Sequence, residues 1–177
     1  MKNKAVFLDR DGTINVDKDY IFKISDFEFI DGAVHALKIL QDAGFLLIIV
    51  TNQSGIGRGF FTENDLEILN SFMLDELKKS GVNISKIYYC PHLPEAKIPA
   101  YRKICNCRKP SIGLFLQAAK EFNIDFSQSY AIGDKERDLS ICNNTDCKGF
   151  LIGRKSSNEN INTVSSLLDA AKIITGA

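Results

Sequence analysis

Five short apolar runs, each followed by polar residues, restrict the fold of this chain more than any other feature. The longest of them, FLLIIV at 45–50, ends at Thr51. Runs of this length without a polar face are typical of strands buried on both sides, as in a parallel sheet. Strands are therefore predicted at Ala5 to Leu8, Phe45 to Val50, Ile87 to Tyr89, Tyr130 to Ile132 and Phe150 to Ile152.

Helical patterns separate these runs. One ends near Gly44, one begins after the N-cap residue Thr62, one opens at Pro110, and the last covers Val164 to Ile174. A polar loop is expected at Arg154 to Asn162. The alternation of strands and helices predicts a doubly wound α/β fold, with a mainly parallel sheet and helices on both faces. No segment is long enough to form a large cap domain.

Length and charge narrow the classes of protein. The 177 residues fit one domain, 1–177, and the net charge of zero with a pI near 6.7 argues against nucleic-acid or membrane partners. No apolar run reaches the roughly 18 residues that cross a bilayer. The first residues lack the apolar region of a signal peptide, so a cytoplasmic location is expected. No large apolar surface stripe is evident, and we expect a monomer.

Acidic residues follow two of the predicted strands. Asp9 and Asp11 lie in the block DRDGT, and Asp134 follows the fourth strand. Ligands bind at the carboxyl edge of open α/β sheets, where these residues would meet. A carboxylate can attack phosphorus, a second can carry a proton, and Mg²⁺ prefers oxygen ligands. Taken singly, each carboxylate also fits a solvated turn.

Hydrogen-bond donors and cations accompany the carboxylates. Residues 51–54 (TNQS) follow the second strand and offer hydroxyl and amide groups to phosphoryl oxygens. Arg108 and Lys109 precede the predicted helix at Pro110, whose N-terminus would favour anions. The alternatives are a polar loop and a solvated basic pair.

In this order, the motifs resemble the haloacid dehalogenase-like phosphatase superfamily. The resemblance implies that Asp138 orients Lys109 or a metal-bound water. The matching positions are Asp9, Asp11, Gly12, Thr13, Thr51, Lys109, Gly133, Asp134 and Asp138.

The resemblance also implies the roles of the main residues. Asp9 would be the nucleophile, and Asp11 would protonate the leaving oxygen and then activate water. Mg²⁺ would be held by Asp9, Asp134 and the backbone carbonyl of Asp11. Thr51 and Lys109 would hold the transferring phosphoryl group, whose oxygens need fixed cations and donors.

A second cluster predicts a structural zinc site in the loop 90–107. Three thiols and an imidazole within 18 residues form a set suited to tetrahedral Zn²⁺, with no position open for water. The alternative is a group of buried cysteines beside a surface histidine. Cys142 and Cys147 are interpreted as core or surface thiols outside this site. The predicted ligands are Cys90, His92, Cys105 and Cys107.

Longer blocks narrow the resemblance further. The blocks DRDGTIN, VTNQSGIGRG, YYCPH, CNCRKP and IGDKERD are similar to the heptose 1,7-bisphosphate phosphatases of the histidinol-phosphatase-like subfamily. This resemblance covers Lys4 to Ile152. It implies removal of the C7 phosphate from a sugar bisphosphate, leaving heptose 1-phosphate on the route to nucleotide-activated heptose and lipopolysaccharide.

The same resemblance implies a set of substrate-binding residues. Arg108 would recognise the phosphate that is not transferred. Lys18 and Asp19 differ from the residues expected in the first loop, which leaves the anomer at C1 open. The implied residues are Asp17, Lys18, Asp19, Tyr20, Thr51, Asn52, Gln53, Ser54, Arg108, Lys109 and Lys135.

Other classes of protein have parts of these motifs or could use the same residues. Histidinol-phosphate phosphatases share the zinc loop and CRKP, although the 12-residue insert between His92 and Cys105 is long for that type. Nucleic-acid 3′-phosphatases share DxDGT and TNQxGI, but the neutral charge argues against them. A non-catalytic zinc scaffold would require loss of the catalytic residues, which are all present. A phosphoryl-transferring mutase is disfavoured because no cap would exclude water.

Overall fold

The computed structural model describes all 177 residues and contains six strands and four α-helices. The strands are β1 Ala5–Leu8, β2 Leu46–Asn52, β3 Lys86–Cys90, β4 Tyr130–Gly133, β5 Lys148–Ile152 and β6 Ile161–Val164. The helices are α1 Ala33–Asp42, α2 Glu63–Lys79, α3 Gly113–Phe122 and α4 Leu167–Thr175. All strands belong to one sheet, in the order β3-β2-β1-β4-β5-β6, and all neighbouring pairs are parallel.

Side chains of β1 alternate between two apolar cores, one on each face of the sheet. Val6 and Leu8 contribute to a core that also contains residues of α1, α2 and α4. Ala5 and Phe7 contribute to the opposite core, which includes residues of α3 and of the 3₁₀ helix Glu136–Asn143. Because successive side chains of a strand point to opposite faces, a strand covered on both sides is apolar throughout. The predicted doubly wound α/β fold is confirmed.

Two predicted boundaries near the C-terminus are wrong. The polar loop ends earlier than expected, because Ile161 begins β6, and Val164 lies in that edge strand rather than in the last helix. The inner strands are continuous apolar runs, whereas β6 exposes its two central residues and so lacks that signal.

The third helix begins at Gly113 and not at Pro110. The residues between them form a turn, in which the Ser111 amide donates to the Arg108 carbonyl over 2.8 Å. The Gly113 amide then donates to the Asn106 carbonyl over 2.9 Å. The sequence suggested that Arg108 and Lys109 directly precede this helix. They instead lie in and before the turn, several residues from its first residue.

The order of the strands creates a crevice between β1 and β4. From β1 the chain moves outwards through β2 to β3, and it then returns to place β4 on the other side of β1. Loops at the carboxyl ends of these two strands diverge, which is where open α/β sheets bind ligands. Asp9 follows β1 and Asp134 follows β4, so both carboxylates lie at this crevice. None of the helices combines the length and the apolar character that a membrane span requires.

We predict that Thr62→Ala lowers the free energy of unfolding by about 1 kcal/mol, because it removes a helix cap. The Thr62 hydroxyl accepts from the Asp65 amide over 3.1 Å, and the Asp65 carboxylate accepts from the Thr62 amide over 2.8 Å. Urea unfolding followed by circular dichroism measures the change. Thr62→Ser keeps the hydroxyl and is expected to retain most of the stability. An equal loss in both variants would contradict the capping explanation.

Candidate active site

A polar cavity of about 220 Å³ opens at the carboxyl edge of the sheet. It brings together residues from the loops that follow β1, β2 and β4 and from the loop before α3. Of the predicted catalytic and substrate-binding residues, those that line it are Asp9, Asp11, Asp17, Asp19, Tyr20, Thr51, Asn52, Gln53, Ser54, Arg108, Lys109 and Lys135.

The buried ammonium of Lys109 connects three segments at the carboxyl edge of the sheet. Its Nζ lies 3.0 Å from Asp9 Oδ1 and 2.7 Å from Asp138 Oδ1, and it donates to the Val50 carbonyl over 2.6 Å. Burial raises the pKa of Asp9 to about 7, although Lys109 opposes the shift. Burial would lower the pKa of Lys109, but the two carboxylates outweigh it and raise that pKa. Lys109 is therefore a fixed positive charge beside a carboxyl group that is costly to ionise.

Side chains at the end of β2 fix the backbone of Lys109. Asn52 Nδ2 donates to the Lys109 carbonyl over 3.1 Å, and Asn52 Oδ1 accepts from the Lys109 amide over 2.9 Å. Gln53 Nε2 donates to Thr51 Oγ1 over 3.0 Å. The predicted donors of the TNQS segment thus also order the site around them.

Asp11 is held by a different set of partners. Arg10 Nη2 lies 3.1 Å from both carboxylate oxygens, Asn15 Nδ2 donates to Oδ1 over 2.9 Å, and Gln53 Nε2 donates to Oδ2 over 3.0 Å. Burial would raise the pKa of Asp11, but the charge of Arg10 and these hydrogen bonds outweigh it and lower that pKa. Two carboxyl groups two residues apart consequently have pKa values shifted in opposite directions.

Asp134 lies close to Asp9, with an unpaired oxygen. Its Oδ1 is buried without a hydrogen-bond partner, and one carboxylate oxygen from each of Asp9, Asp134 and Asp138 lies within 4.8 Å of the others. Burial raises the pKa of Asp134. Gly12 (φ 83°) permits this approach, since a Cβ there would lie 2.4 Å from Asp134 Oδ2. An orphaned buried oxygen among acidic groups fits a hard cation such as Mg²⁺.

Asp138 was not among the predicted magnesium ligands, and its oxygens are already engaged. Oδ1 pairs with Lys109 Nζ, and Oδ2 accepts from the Lys135 amide over 3.0 Å. The carboxylate of Asp11 is likewise occupied by Arg10. Asp9 and Asp134 are thus the carboxylates best placed to hold a cation.

The first loop contributes three of its four predicted residues to the cavity. Asp17, Asp19 and Tyr20 line it, whereas Lys18 lies outside the lining, with its Nζ 2.9 Å from Glu28 Oε2. The backbones of Asp19 (φ 57°) and Tyr20 (φ 54°) are both left-handed, which is uncommon for residues other than glycine. Tertiary contacts therefore hold this segment in a conformation that its residues do not prefer.

Sequence reasoning missed four residues of the site. Arg10 is fully buried and, besides Asp11, contacts Asn70 Oδ1 over 3.0 Å. Gly55, Arg58 and Arg137 line the cavity. All four lie within or beside the quoted motif blocks, but no periodicity shows which of these side chains turns towards the cavity.

The predicted zinc ligands converge at one point of the loop 90–107. Cys107 Sγ lies 2.9 Å from Cys90 Sγ, 3.2 Å from Cys105 Sγ and 3.1 Å from His92 Nδ1. None of the cysteines is in a disulfide, and burial raises the pKa of Cys90. Three thiols and one imidazole nitrogen that converge in this way supply the four ligands of a closed tetrahedral zinc site. The other two cysteines of the chain are not part of this cluster.

Comparisons with known proteins agree with this site. The family model described as HAD-hydrolase-like matches residues 106–165. A D-glycero-β-D-manno-heptose-1,7-bisphosphate 7-phosphatase from Haemophilus ducreyi is 54% identical over 142 residues, covering 78% of this chain and 76% of the relative. The chain belongs to this phosphatase family. A member from Pasteurella multocida is 42% identical and covers 98% of this chain and 97% of its own length.

A solved structure of similar fold gives independent support. The D,D-heptose 1,7-bisphosphate phosphatase from B. bronchiseptica, complexed with magnesium and phosphate, superposes with a TM-score of 0.84. It is 28% identical, and the match covers 98% of this chain and 99% of that one. The predicted family and fold are therefore confirmed.

The opposite pKa shifts of Asp9 and Asp11 predict opposite effects of neutralising them. The pKa of Asp9 in the folded protein (about 7) exceeds its ordinary value of 3.8. The free energy of unfolding therefore decreases as pH rises between these two values. Asp9→Asn has no carboxyl group to ionise and avoids this decrease. The lowered pKa of Asp11 makes its carboxylate stabilising above the unfolded pKa, and Asp11→Asn removes that contribution. At pH 8 in magnesium-free buffer, we expect Asp9→Asn to be more stable than wild type by at least about 1 kcal/mol. We expect Asp11→Asn to be less stable than wild type.

Urea unfolding at pH 5.5 and pH 8 measures both effects. The stability that Asp9→Asn gains over wild type should be smaller at pH 5.5, where the Asp9 carboxyl of the folded wild type is protonated. A destabilised Asp9→Asn at pH 8 would contradict the interpretation.

Proposed function

We propose that the protein hydrolyses the C7 phosphate of D-glycero-β-D-manno-heptose 1,7-bisphosphate and releases heptose 1-phosphate. The observation that carries this proposal is the buried Asp9 beside Lys109 at the carboxyl edge, in a chain 54% identical to a phosphatase of that name. The β anomer is taken from the names of the relatives, since the first loop alone left it open. The product would enter the synthesis of nucleotide-activated heptose for surface lipopolysaccharide.

In the proposed reaction, a carboxylate oxygen of Asp9 attacks phosphorus and the bond between phosphorus and the sugar O7 breaks. Asp11 donates a proton to the leaving oxygen, which gives an aspartyl-phosphate on Asp9 and a free C7 hydroxyl. Asp11 then takes a proton from water as the water oxygen attacks phosphorus. The bond between phosphorus and the Asp9 oxygen breaks, which frees the Asp9 carboxylate and releases inorganic phosphate. The hydroxyl of Thr51 and the ammonium of Lys109 hold the phosphoryl oxygens.

Asp11 requires a change of partners before it can act as an acid. Its contacts with Arg10, Asn15 and Gln53 favour the carboxylate form. A carboxyl group that leaves a guanidinium regains a higher pKa. We infer that substrate in the cavity draws Asp11 away from Arg10, and that the proton is taken up in that second position.

Magnesium and zinc complete the proposal. Asp9, Asp134 and the backbone carbonyl of Asp11 would hold Mg²⁺, which neutralises charge on the phosphoryl oxygens when bound. The Cys₃His cluster would hold a structural Zn²⁺ that orders the loop 90–107.

The single sheet supports treating 1–177 as one domain, and a cytoplasmic location and a monomeric state stay predictions. The relatives favour neither histidinol phosphate nor a nucleic acid as substrate.

We predict that Asp9→Asn lowers phosphate release on the order of 10⁴-fold or more, because an amide cannot form the aspartyl-phosphate. Phosphate release with Mg²⁺ should be measured on both anomers of heptose 1,7-bisphosphate, on histidinol phosphate and on a 3′-phosphorylated oligonucleotide. We expect the β anomer to be preferred. Asp146→Asn, at an exposed position, is the matched control and should keep full activity. Faster hydrolysis of histidinol phosphate would overturn the assigned substrate.

For the zinc site, we predict one zinc per chain in the wild-type protein and a loss of at least half of it in Cys105→Ser. The melting temperature should fall when the metal is lost, because the site holds both ends of an irregular loop together. Cys142→Ser, outside the cluster, should retain the zinc. Elemental analysis and thermal unfolding measure both properties. Equal zinc content in the two variants would show that the Cys₃His cluster does not hold the metal.

A further inference from the structure

The guanidinium of Arg58 has no hydrogen-bond acceptor or carboxylate partner within the protein. Arg58 lines the cavity, makes no salt bridge, and its Nε is buried without a hydrogen-bond acceptor. The lysines of the cavity are engaged, since Lys109 pairs with Asp9 and Lys135 lies 3.5 Å from Asp17. A buried donor without an acceptor costs about 1–3 kcal/mol. Because Arg58 lines the cavity and no carboxylate pairs with it, an anionic ligand there can supply acceptors to its guanidinium.

The loop that carries Arg58 is held firmly against the zinc loop. The Arg58 amide donates to the Ser54 carbonyl over 3.0 Å, and the Ile98 amide donates to the Gly57 carbonyl over 2.9 Å. Gly57 is required at this contact, because a Cβ there would lie 2.9 Å from the Pro91 carbonyl oxygen. The backbone of Arg58 is therefore positioned before any ligand arrives, which reduces the entropy lost on binding.

The side chain of Arg58 is also oriented from the other side of the cavity. Its guanidinium carbon lies 5.8 Å from the centre of the Tyr20 ring, and that ring packs edge-on against Phe60 at 4.8 Å. A guanidinium over an aromatic face is attracted by the ring and keeps its in-plane N–H groups available. Tyr20 is one of two residues of the first loop that have a left-handed backbone and line the cavity, the other being Asp19.

The chemistry of a sugar bisphosphate accounts for an unpaired arginine here. In the proposed reaction, the transferred phosphate would lie next to Asp9, Thr51 and Lys109. The second phosphate, at the far end of the sugar, needs cations of its own, and a guanidinium binds phosphate in a bidentate manner. Arg108, expected to recognise this phosphate, also lines the cavity, and only its Nη1 is engaged, in a 3.4 Å hydrogen bond to the His92 carbonyl. Arg58 would therefore add a second guanidinium for the same phosphate.

We propose that Arg58, held over Tyr20, is a specificity-determining residue that binds the phosphate that is not transferred. The inference rests on the proposed sugar-bisphosphate phosphatase function and adds a residue to it. Arg58 selects substrates with a second phosphate and takes no part in the chemistry at Asp9.

The test compares heptose 1,7-bisphosphate with heptose 7-phosphate, which lacks the remote phosphate, in wild type, Arg58→Gln and Arg58→Lys. We expect Arg58→Gln to lower kcat/KM on the bisphosphate about 10- to 100-fold, mainly through KM, because a charged hydrogen bond is lost. Its kcat/KM on the 7-phosphate should stay within about twofold of wild type. Arg58→Lys should keep part of the preference, since it keeps the charge but not the bidentate geometry. The control Arg154→Gln, on an exposed loop, should match wild type on both substrates.

Two results would overturn the role of Arg58 and leave the proposed function intact. One is a wild-type preference for the bisphosphate that Arg58→Gln does not change. The other is an equal loss on both substrates with an unchanged melting temperature, which would place Arg58 at the transferred phosphate. A wild type with no preference for the bisphosphate would instead refute the bisphosphate assignment, and the role of Arg58 with it.

Discussion

The buried contact between Lys109 and Asp9 is the interaction on which the rest of the site depends. Lys109 comes from the loop before α3, Asp9 follows β1, and the Val50 carbonyl that Lys109 also reaches lies in β2. A fully buried ammonium is costly unless several acceptors surround it, so all these segments must be in place together. Asp138, near the end of β4, completes the arrangement. The same contact therefore ties the fold to the site.

The two carboxyl groups of the first motif occupy different environments. Asp9 is buried beside one cation and a second carboxylate, and Asp11 is enclosed by the guanidinium of Arg10 and two amides. Burial dominates at Asp9 and hydrogen-bond donors dominate at Asp11, which separates the pKa values of two chemically identical groups. Arg10 creates this difference by filling the space between Asp11 and α2, where it also meets Asn70.

The walls of the cavity come from loops and not from a separate cap. The loop 90–107, with its Cys₃His cluster, supports the segment around Gly57, and the first loop supplies Tyr20 on the other side. Glu63 at the start of α2 accepts hydrogen bonds from Tyr89 and from Tyr101 of the zinc loop. A metal in this loop would stiffen the wall that carries Arg58, which links a structural site to substrate selection.

From the sequence alone, the parallel sheet, the convergence of Asp9, Asp11, Thr51 and Lys109, and the Cys₃His loop were all predictable. Buried strands leave continuous apolar runs, and the carboxyl ends of parallel strands meet at one edge. The edge strand β6 and the start of α3 were not predictable, since tertiary hydrogen bonds set them without a periodic pattern. Which side chains point into the cavity also depends on tertiary contacts. Lys18 was expected at the cavity and pairs with Glu28, whereas Arg58 faces the cavity because contacts far along the chain hold its loop there.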